Sequence, residues 1–250
     1  MIDLHCHILP GLDDGPRDWD ESLAMCRMAR ADGIRTVAAT PHIKPGLYHQ
    51  VTREILGRVT ELNRRIADDA TGGAHGLWVL AGADAFLEPD IGARLSDGTV
   101  PTLGHGGPKG PLQYFLLELP DYFRFDAVTT LIEELRARHM VPVLTHPERN
   151  GMFQRSTRLL AACIEAGALS QVTAMSITGQ FGGLAQKSAR TFVRKDLAHV
   201  IASDAHSAGI RPPVLSAAVE KIGRIRTSID AEMMVTAIPR AILEGREVRL

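Results

Sequence analysis

The sequence predicts a parallel α/β barrel, and three observations carry that expectation. Beyond the opening Ile2–Ile8, five short apolar stretches read as strands: Thr36–Thr40, Leu77–Gly82, Tyr114–Leu119, Val141–Thr145 and Val200–Ser203. Segments with helical spacing lie between them, and alternation of strand and helix specifies a parallel sheet. Each stretch also runs into a polar motif at its C-terminal end. Motifs repeated at that place point to strand ends that converge on one site, as in a barrel. The 250 residues are the usual size of one such domain, spanning 1–250.

The elements follow in order. In the first strand side chains alternate, so His5 and His7 share one face and Cys6 takes the other. Asp18 or Asp20 caps a helix with Leu23 and Met28 on its apolar side, and Gly33 ends it. Ile55, Val59, Leu62 and Ile66 recur at helical spacing, as do Val128, Leu131, Ile132 and Leu135 before His139. Between Asp84 and Glu118, Pro101 and the Gly-rich Gly104–Pro111 predict an irregular insertion. Ser156–Ala166 before Gly167, Leu184–Lys195, Pro213–Ile222 and Ala231–Glu244 complete the helices. Their apolar stripes are core faces with no cofactor implication. Trp19 and Trp78 read as packing residues, and His75, His105, His139 and His199 as surface or capping groups.

Composition excludes several classes. The 28 basic and 29 acidic residues nearly cancel, which argues against a general nucleic-acid or lipid-surface binder. Three cysteines without Cys-x-x-Cys spacing exclude a disulfide framework and a zinc ribbon. No secretory leader is readable before the first strand, and no apolar run reaches the ~18 residues that span a bilayer. The expected location is the cytoplasm. Cysteine phosphatase chemistry needs an arginine six positions after the cysteine, and Leu12, Asp32 and Leu169 stand there instead. P-loop and Gly-x-Ser-x-Gly motifs are absent.

The polar motifs contain nine candidate metal ligands: His5, His7, Asp14, His42, Asp84, Glu118, His146, Asp204 and His206. A hydrolytic zinc site uses about three protein ligands, so this set fits two or three divalent ions with bridging carboxylates. Nitrogen and oxygen donors without thiolate suit Mn²⁺, Zn²⁺ or Fe. Adjacent ions of this kind supply hydroxide at neutral pH and clamp phosphate oxygens during in-line displacement. Arg149 and Arg211 follow the His146 and Asp204 motifs. Guanidinium grips phosphate bidentately, although most arginines are surface ion-pair residues. His42 or a water is the candidate proton donor to the leaving group. Tyr48 and His49 lie where they can rim a cleft, and Cys6 reads as a buried small hydrophobe.

Met1-Ile2-Asp3-x-His5-x-His7-Ile8-Leu9-Pro10-Gly11-x-Asp13-Asp14-Gly15, Thr40-Pro41-His42, His146-Pro147-Glu148-Arg149, Gly179-Gln180-Phe181-Gly182 and Ala202-Ser203-Asp204-Ala205-His206 resemble the PHP (polymerase and histidinol phosphatase) superfamily. Within it they are similar to the bacterial metal-dependent tyrosine phosphatases encoded with capsule and exopolysaccharide genes, and Leu9–Gly15 is specific to that branch. The resemblance implies a distorted TIM-like (β/α)₇ barrel and a trinuclear centre, often Mn²⁺, held by the nine residues above. It also implies phosphate binding by Arg149 and Arg211, and hydrolysis of phosphotyrosine on the tail of a polysaccharide-assembly tyrosine kinase. Three positions depart from the family pattern: Asp84 replaces the usual Glu, Thr173 a frequent Asn, and Ile43 a frequent second His. The alternatives are a PHP phosphoesterase acting on a small phosphomonoester such as histidinol phosphate, and a catalytically weakened regulatory barrel. An amidohydrolase also starts from His-x-His, but no lysine follows a central strand end.

Overall fold

The computed structural model describes residues 1–105 and 110–248. Among them are nine strands, paired in parallel throughout: β1 (Ile2–Cys6), β2 (Thr36–Ala39), β3 (His42–Ile43), β4 (Trp78–Ala81), β5 (Asp84–Phe86), β6 (Gln113–Glu118), β7 (Met140–Thr145), β8 (Leu169–Thr173) and β9 (Val200–Ala202). Two barrel strands are each split in two. Pro41 has no N–H to continue a ladder, so β2 stops and β3 resumes after Thr40-Pro41; β4 and β5 are divided by Gly82-Ala83. The Asp84 N–H still reaches the Pro41 carbonyl at 3.1 Å, which ties the halves together. Counting the split strands once leaves seven barrel positions. The ring closes between β9 and β1, where the Asp204 N–H donates to the His5 carbonyl and the His7 N–H to that of Ala205, both at 2.8 Å.

A bulge in β1 sets the site. Ile2 pairs with Thr36 but Cys6 with Ala39, so β1 holds one residue more than its partner between these points. Ile2 and Leu4 join the apolar cluster of Ala38, Tyr114, Leu116, Val141, Val143 and Val200 that fills the lower barrel. Cys6 packs with Val37, Phe115, Leu117 and Ile201 in the layer beneath the helices. The extra residue therefore restores His5 and His7 to the inner face. That face is apolar at the bottom and carries His42, Asp84, Glu118 and Gln171 at the top.

Helices α1 (Trp19–Ala31), α2 (Thr52–Ala67), α3 (Ile91–Ser96), α4 (Phe125–Ala137), α5 (Gly151–Arg155), α6 (Thr157–Glu165), α7 (Ala174–Thr178), α8 (Gly183–Arg194), α9 (Ser216–Gly223), α10 (Ser228–Met233) and α11 (Ala237–Leu243) complete the described structure, with a 3₁₀ turn at Pro147–Arg149. Asp18 caps α1 by accepting from the Glu21 N–H at 2.9 Å, and Gly33 follows the helix at φ +90°. Ile55, Val59, Leu62 and Ile66 are the buried stripe of α2. α9 begins at Ser216 rather than Pro213, because Asp32 Oδ2 accepts from the Leu215 and Ser216 N–H groups at 2.7 and 3.1 Å.

Three expectations are corrected. The single helix over Ala231–Glu244 is two, α10 and α11. A continuous helix would press the Pro239 ring on the Val235 carbonyl; instead that carbonyl accepts from the Ile2 N–H at 2.7 Å and Met234's from Ile201 at 3.2 Å. Trp78 is not a packing residue but 60% exposed, at the start of β4, whereas Trp19 packs against the core. His199 is not a surface group but buried, its Nδ1 accepting from the Ser170 N–H at 3.1 Å. The expected Gly104–Pro111 loop lies partly outside the described residues.

Burial lowers His199 from an ordinary value of 6.5 to about 4. The unfolded chain takes up this proton near pH 6.5 and the folded chain only near 4, so the stabilisation is complete above 6.5 and is lost as pH falls toward 4. At about 1.36 kcal/mol per unit this amounts to about 3 kcal/mol. The stability advantage of the native chain over His199→Gln, measured by urea denaturation, should shrink by up to that amount between about pH 7 and pH 4. A pH-independent difference would show that this buried ring carries no proton linkage.

Candidate metal centre

His5 and His7 leave the top of β1, and Asp13 and Asp14 lie in the turn that follows. His42 opens β3, Asp84 opens β5 and Glu118 ends β6. His146 follows β7, and Asp204 and His206 follow β9. His146 and Asp204 sit at φ +35° and +51°, a left-handed backbone rarely held by non-glycine residues and found where a site over-determines it.

All nine candidate residues converge. His5 Nε2 and His7 Nε2 approach to 3.1 Å. Asp204 Oδ1 lies 3.5 Å from His5 Nε2, 3.6 Å from His7 Nε2 and 3.7 Å from His206 Nδ1. Asp84 Oδ2 is 3.3 Å from His42 Nδ1 and 3.6 Å from His5 Nε2, so the shorter carboxylate still reaches both rings. Glu118 Oε2 is 3.6 Å from His42 Nδ1, and Asp14 Oδ1 is 3.4 Å from His206 Nε2. The His146 ring centre is 5.9 Å from that of His5. Three overlapping groups, His7/Asp14/His42/His206, His5/His7/Asp84 and His42/Asp84/Glu118, each place their ligand atoms within 4.8 Å of one another. His7, His42 and Asp84 are each shared by two groups.

The donor atoms fit a cation better than they fit one another. His42 Nδ1, both Asp84 oxygens, Glu118 Oε2 and His206 Nε2 are buried without a hydrogen-bond partner. Such atoms are costly to bury unless something positive meets them. Burial pushes His7 down to about 4 and His146 to about 3, leaving neutral imidazoles able to ligate. Burial also resists protonation of His42, but the Asp84 and Glu118 carboxylates lift it to about 9. Burial opposes ionisation of Asp204, yet His5, His146 and Arg211 hold it well below the usual carboxylate range.

Several supporting residues escaped sequence reasoning. Asp13 Oδ2 accepts from His7 Nδ1–H at 2.6 Å and from the His42 N–H at 2.8 Å. Gln171 Oε1 is 2.9 Å from His5 Nδ1. In both histidines the outer nitrogen is thereby engaged and Nε2 faces the cluster, the arrangement expected of ligating imidazoles. Asp13, beside Asp14, was detectable; Gln171, 166 residues from His5, left no trace in the sequence. Phe181 is the third. Its ring lies 4.6 Å from the Arg149 guanidinium and 5.6 Å from that of Arg211. Both arginines meet Asp204 Oδ2, at 2.8 and 2.7 Å.

Tyr48 stacks on His42 at 5.7 Å, on the rim, whereas His49 is exposed. Cys6 is buried, as are Cys26 and Cys163. Ile43 points away from His42 into the outer core, so a second histidine there would face the helices rather than the cluster. Thr173 donates its N–H to Glu148 Oε1 at 3.0 Å, but its hydroxyl is buried without a partner. A cavity of about 450 Å³ lies at the other end of the barrel, near the starts of β6 and β7, far from this chemistry.

A seven-position parallel barrel with histidines, carboxylates and two arginines gathered at its C-terminal strand ends defines a β/α-barrel protein with a candidate metal centre at the end where such barrels carry their chemistry. The family described as "Capsular polysaccharide synthesis, CpsB/CapC" matches residues 1–244, and the chain belongs to it. It is 34% identical over 215 residues to the tyrosine-protein phosphatase YwqE of Bacillus subtilis (strain 168), covering 84% of this chain and 79% of that protein. It is 27% identical over 251 residues to the tyrosine-protein phosphatase CpsB of Streptococcus pneumoniae, covering 97% and 98%. A solved structure from work on YwqE and CpsB, described as "unique metal-dependent tyrosine phosphatases", matches with a TM-score of 0.90 and 30% identity, covering 100% of this chain and 96% of that one.

Proposed function

We propose that this chain is a metal-dependent tyrosine-protein phosphatase of capsular or exopolysaccharide synthesis, acting in the cytoplasm on the phosphotyrosine tail of a bacterial tyrosine kinase. One observation carries the reading: two guanidiniums, held on one aromatic ring, converge at the edge of a buried cluster rich in unpartnered donor atoms. His5, His7, Asp14, His42, Asp84, Glu118, His146, Asp204 and His206 would hold two or three divalent ions, with Mn²⁺ first and Zn²⁺ or Fe as alternatives. Bound there, such ions supply Lewis acidity and a nucleophile at neutral pH.

The protein's own groups do the rest. Arg149 and Arg211 present planar donors to the phosphoryl oxygens and meet the charge that grows on them. Phe181 keeps both guanidinium planes oriented. Water adds to phosphorus in line with the tyrosyl oxygen, and that P–O bond breaks. A phenol of pKa ~10 leaves with less proton assistance than an alkyl alcohol. His42 is read as one of the ligands rather than as the acid. Its Nδ1 faces Asp84 and Glu118 and its Nε2 faces Asp14 at 3.7 Å, so neither nitrogen is left for the leaving group. That proton comes from solvent.

The test couples metal analysis of the purified protein to hydrolysis of a phosphotyrosine peptide and of histidinol phosphate. Bound divalent metal and faster turnover of the peptide are expected. Faster turnover of histidinol phosphate would assign the site to a small phosphomonoester, and no turnover of either by the metal-loaded protein would make it a regulatory barrel.

A further inference from the structure

Helix α8 begins two residues after Phe181, the ring on which both arginines rest, and runs down the outside of the barrel. Its inner face is apolar, with Ala185, Ala189, Phe192 and Val193 buried. On the other face Gly183, Gln186, Lys187, Arg190 and Arg194 line a shallow groove of about 220 Å³. Gly183, Lys187, Arg190 and Arg194 are three or four residues apart, so they form one continuous stripe, with Gln186 beside it.

The stripe is cationic and unpaired. Several arginines near the surface meet a carboxylate, among them Arg27, Arg64, Arg65, Arg94, Arg136, Arg224 and Arg226. Lys187, Arg190 and Arg194 meet none among the described residues, and no acidic residue lines the groove. Arg190 Nε is buried and without a hydrogen-bond partner, which is costly for a charged group unless an anion completes it. With a net charge of −1 the chain is not basic overall, so the stripe is a local feature.

We propose that this groove is a second substrate-binding site, which takes an acidic segment of the protein substrate next to its phosphotyrosine. The proposal rests on the phosphatase reading above and extends it from the phosphate to the peptide. At about 1.5 Å of rise per residue, Lys187, Arg190 and Arg194 lie roughly 6, 10 and 16 Å below the start of α8. An extended peptide advances ~3.3 Å per residue, so a chain anchored at Arg149 and Arg211 brings its third to seventh neighbours past these three cations. Carboxylates at those neighbours complete the unpaired guanidiniums. Lys187 and Arg194 are exposed and Arg190 half-buried, so the contacts are largely screened by salt, and recognition works through their sum and weakens at high ionic strength.

The experiment compares metal-loaded wild type with Lys187→Glu/Arg190→Glu/Arg194→Glu and with the milder triple glutamine variant, in case charge reversal disturbs folding. The probes are a phosphotyrosine peptide with Glu at the third to seventh flanking positions, the same peptide with Gln there, and p-nitrophenyl phosphate. Wild type should hydrolyse the Glu peptide with a kcat/KM about tenfold above that of the Gln peptide at low salt, mainly through KM, and the advantage should fade by about 0.5 M salt. Both triple variants should lose it while keeping metal content and turnover of the Gln peptide and of p-nitrophenyl phosphate. No preference in wild type, or a preference that survives both triples, overturns the proposal. So does wild-type binding to phosphatidylglycerol vesicles that the triples lose, if no peptide preference accompanies it, because the stripe would then be a membrane contact. Failure of wild type to hydrolyse even the Gln peptide is a different result, and overturns the phosphatase reading itself.

Discussion

His5→Ala and Asp204→Ala are expected to lose bound metal and phosphotyrosine hydrolysis together, whereas removal of an outer partner should cost only part of either. Asp204 Oδ1 lies within 3.7 Å of three imidazoles, so its loss breaks up the middle of the cluster. His5 Nε2 approaches His7, Asp84 and Asp204 and belongs to the same middle. Asp13→Asn and Gln171→Leu touch the outer nitrogens of His7 and His5 and should lower metal affinity or activity by about 10–100-fold. The ligand variants should fall further, to the level of chelated wild type. Strong chelation should likewise abolish turnover, with Mn²⁺ or another divalent ion restoring it. Metal content and initial rates on the same samples check this. Full activity in chelated, metal-free protein would remove the basis of the mechanism.

That prediction was largely readable before any coordinates, and the reason is physical. A barrel concentrates chemistry at the C-terminal ends of its strands, so each ligand of this kind appears in sequence as a polar residue closing an apolar run. His42, Asp84 and Glu118 were visible in that way. What stayed hidden depends on register and on tertiary partners. Alternation alone groups His5 with His7, but only the β1 bulge decides that both face inward. The splitting of two strands follows from Pro41 and from Gly82-Ala83, and neither break can be placed by hydrophobic pattern. The division of 231–244 was signalled by Pro239, but the β1 and β9 N–H groups that use the freed carbonyls were not. The role of Phe181 was hidden in the same sense. Gly179-Gln180-Phe181-Gly182 was recognisable as a motif, yet only the fold shows it beneath two arginines from distant loops.

Those arginines are where chemistry and assembly of the site can be separated. Arg149→Ala and Arg211→Ala should leave metal content near that of wild type, since guanidinium is not a ligand. Each should still lose roughly 2–4 kcal/mol of transition-state stabilisation, about 10²–10³ in rate. Lysine should rescue only in part, because an ammonium cannot reproduce the planar fork. Phe181→Leu keeps both charges and removes the surface that orients them, so its cost should be smaller and shared between kcat and KM. The pair should not act additively. Arg149 and Arg211 meet the same Asp204 oxygen and the same ring, so losing one already disturbs the other. The double alanine variant should therefore cost less than the product of the two single losses. Near wild-type turnover of a phosphotyrosine peptide by both single variants would make these arginines structural partners of Asp204 and remove the phosphate site from them. A fully multiplicative double variant would keep that site but show that the two guanidiniums work independently of their shared supports.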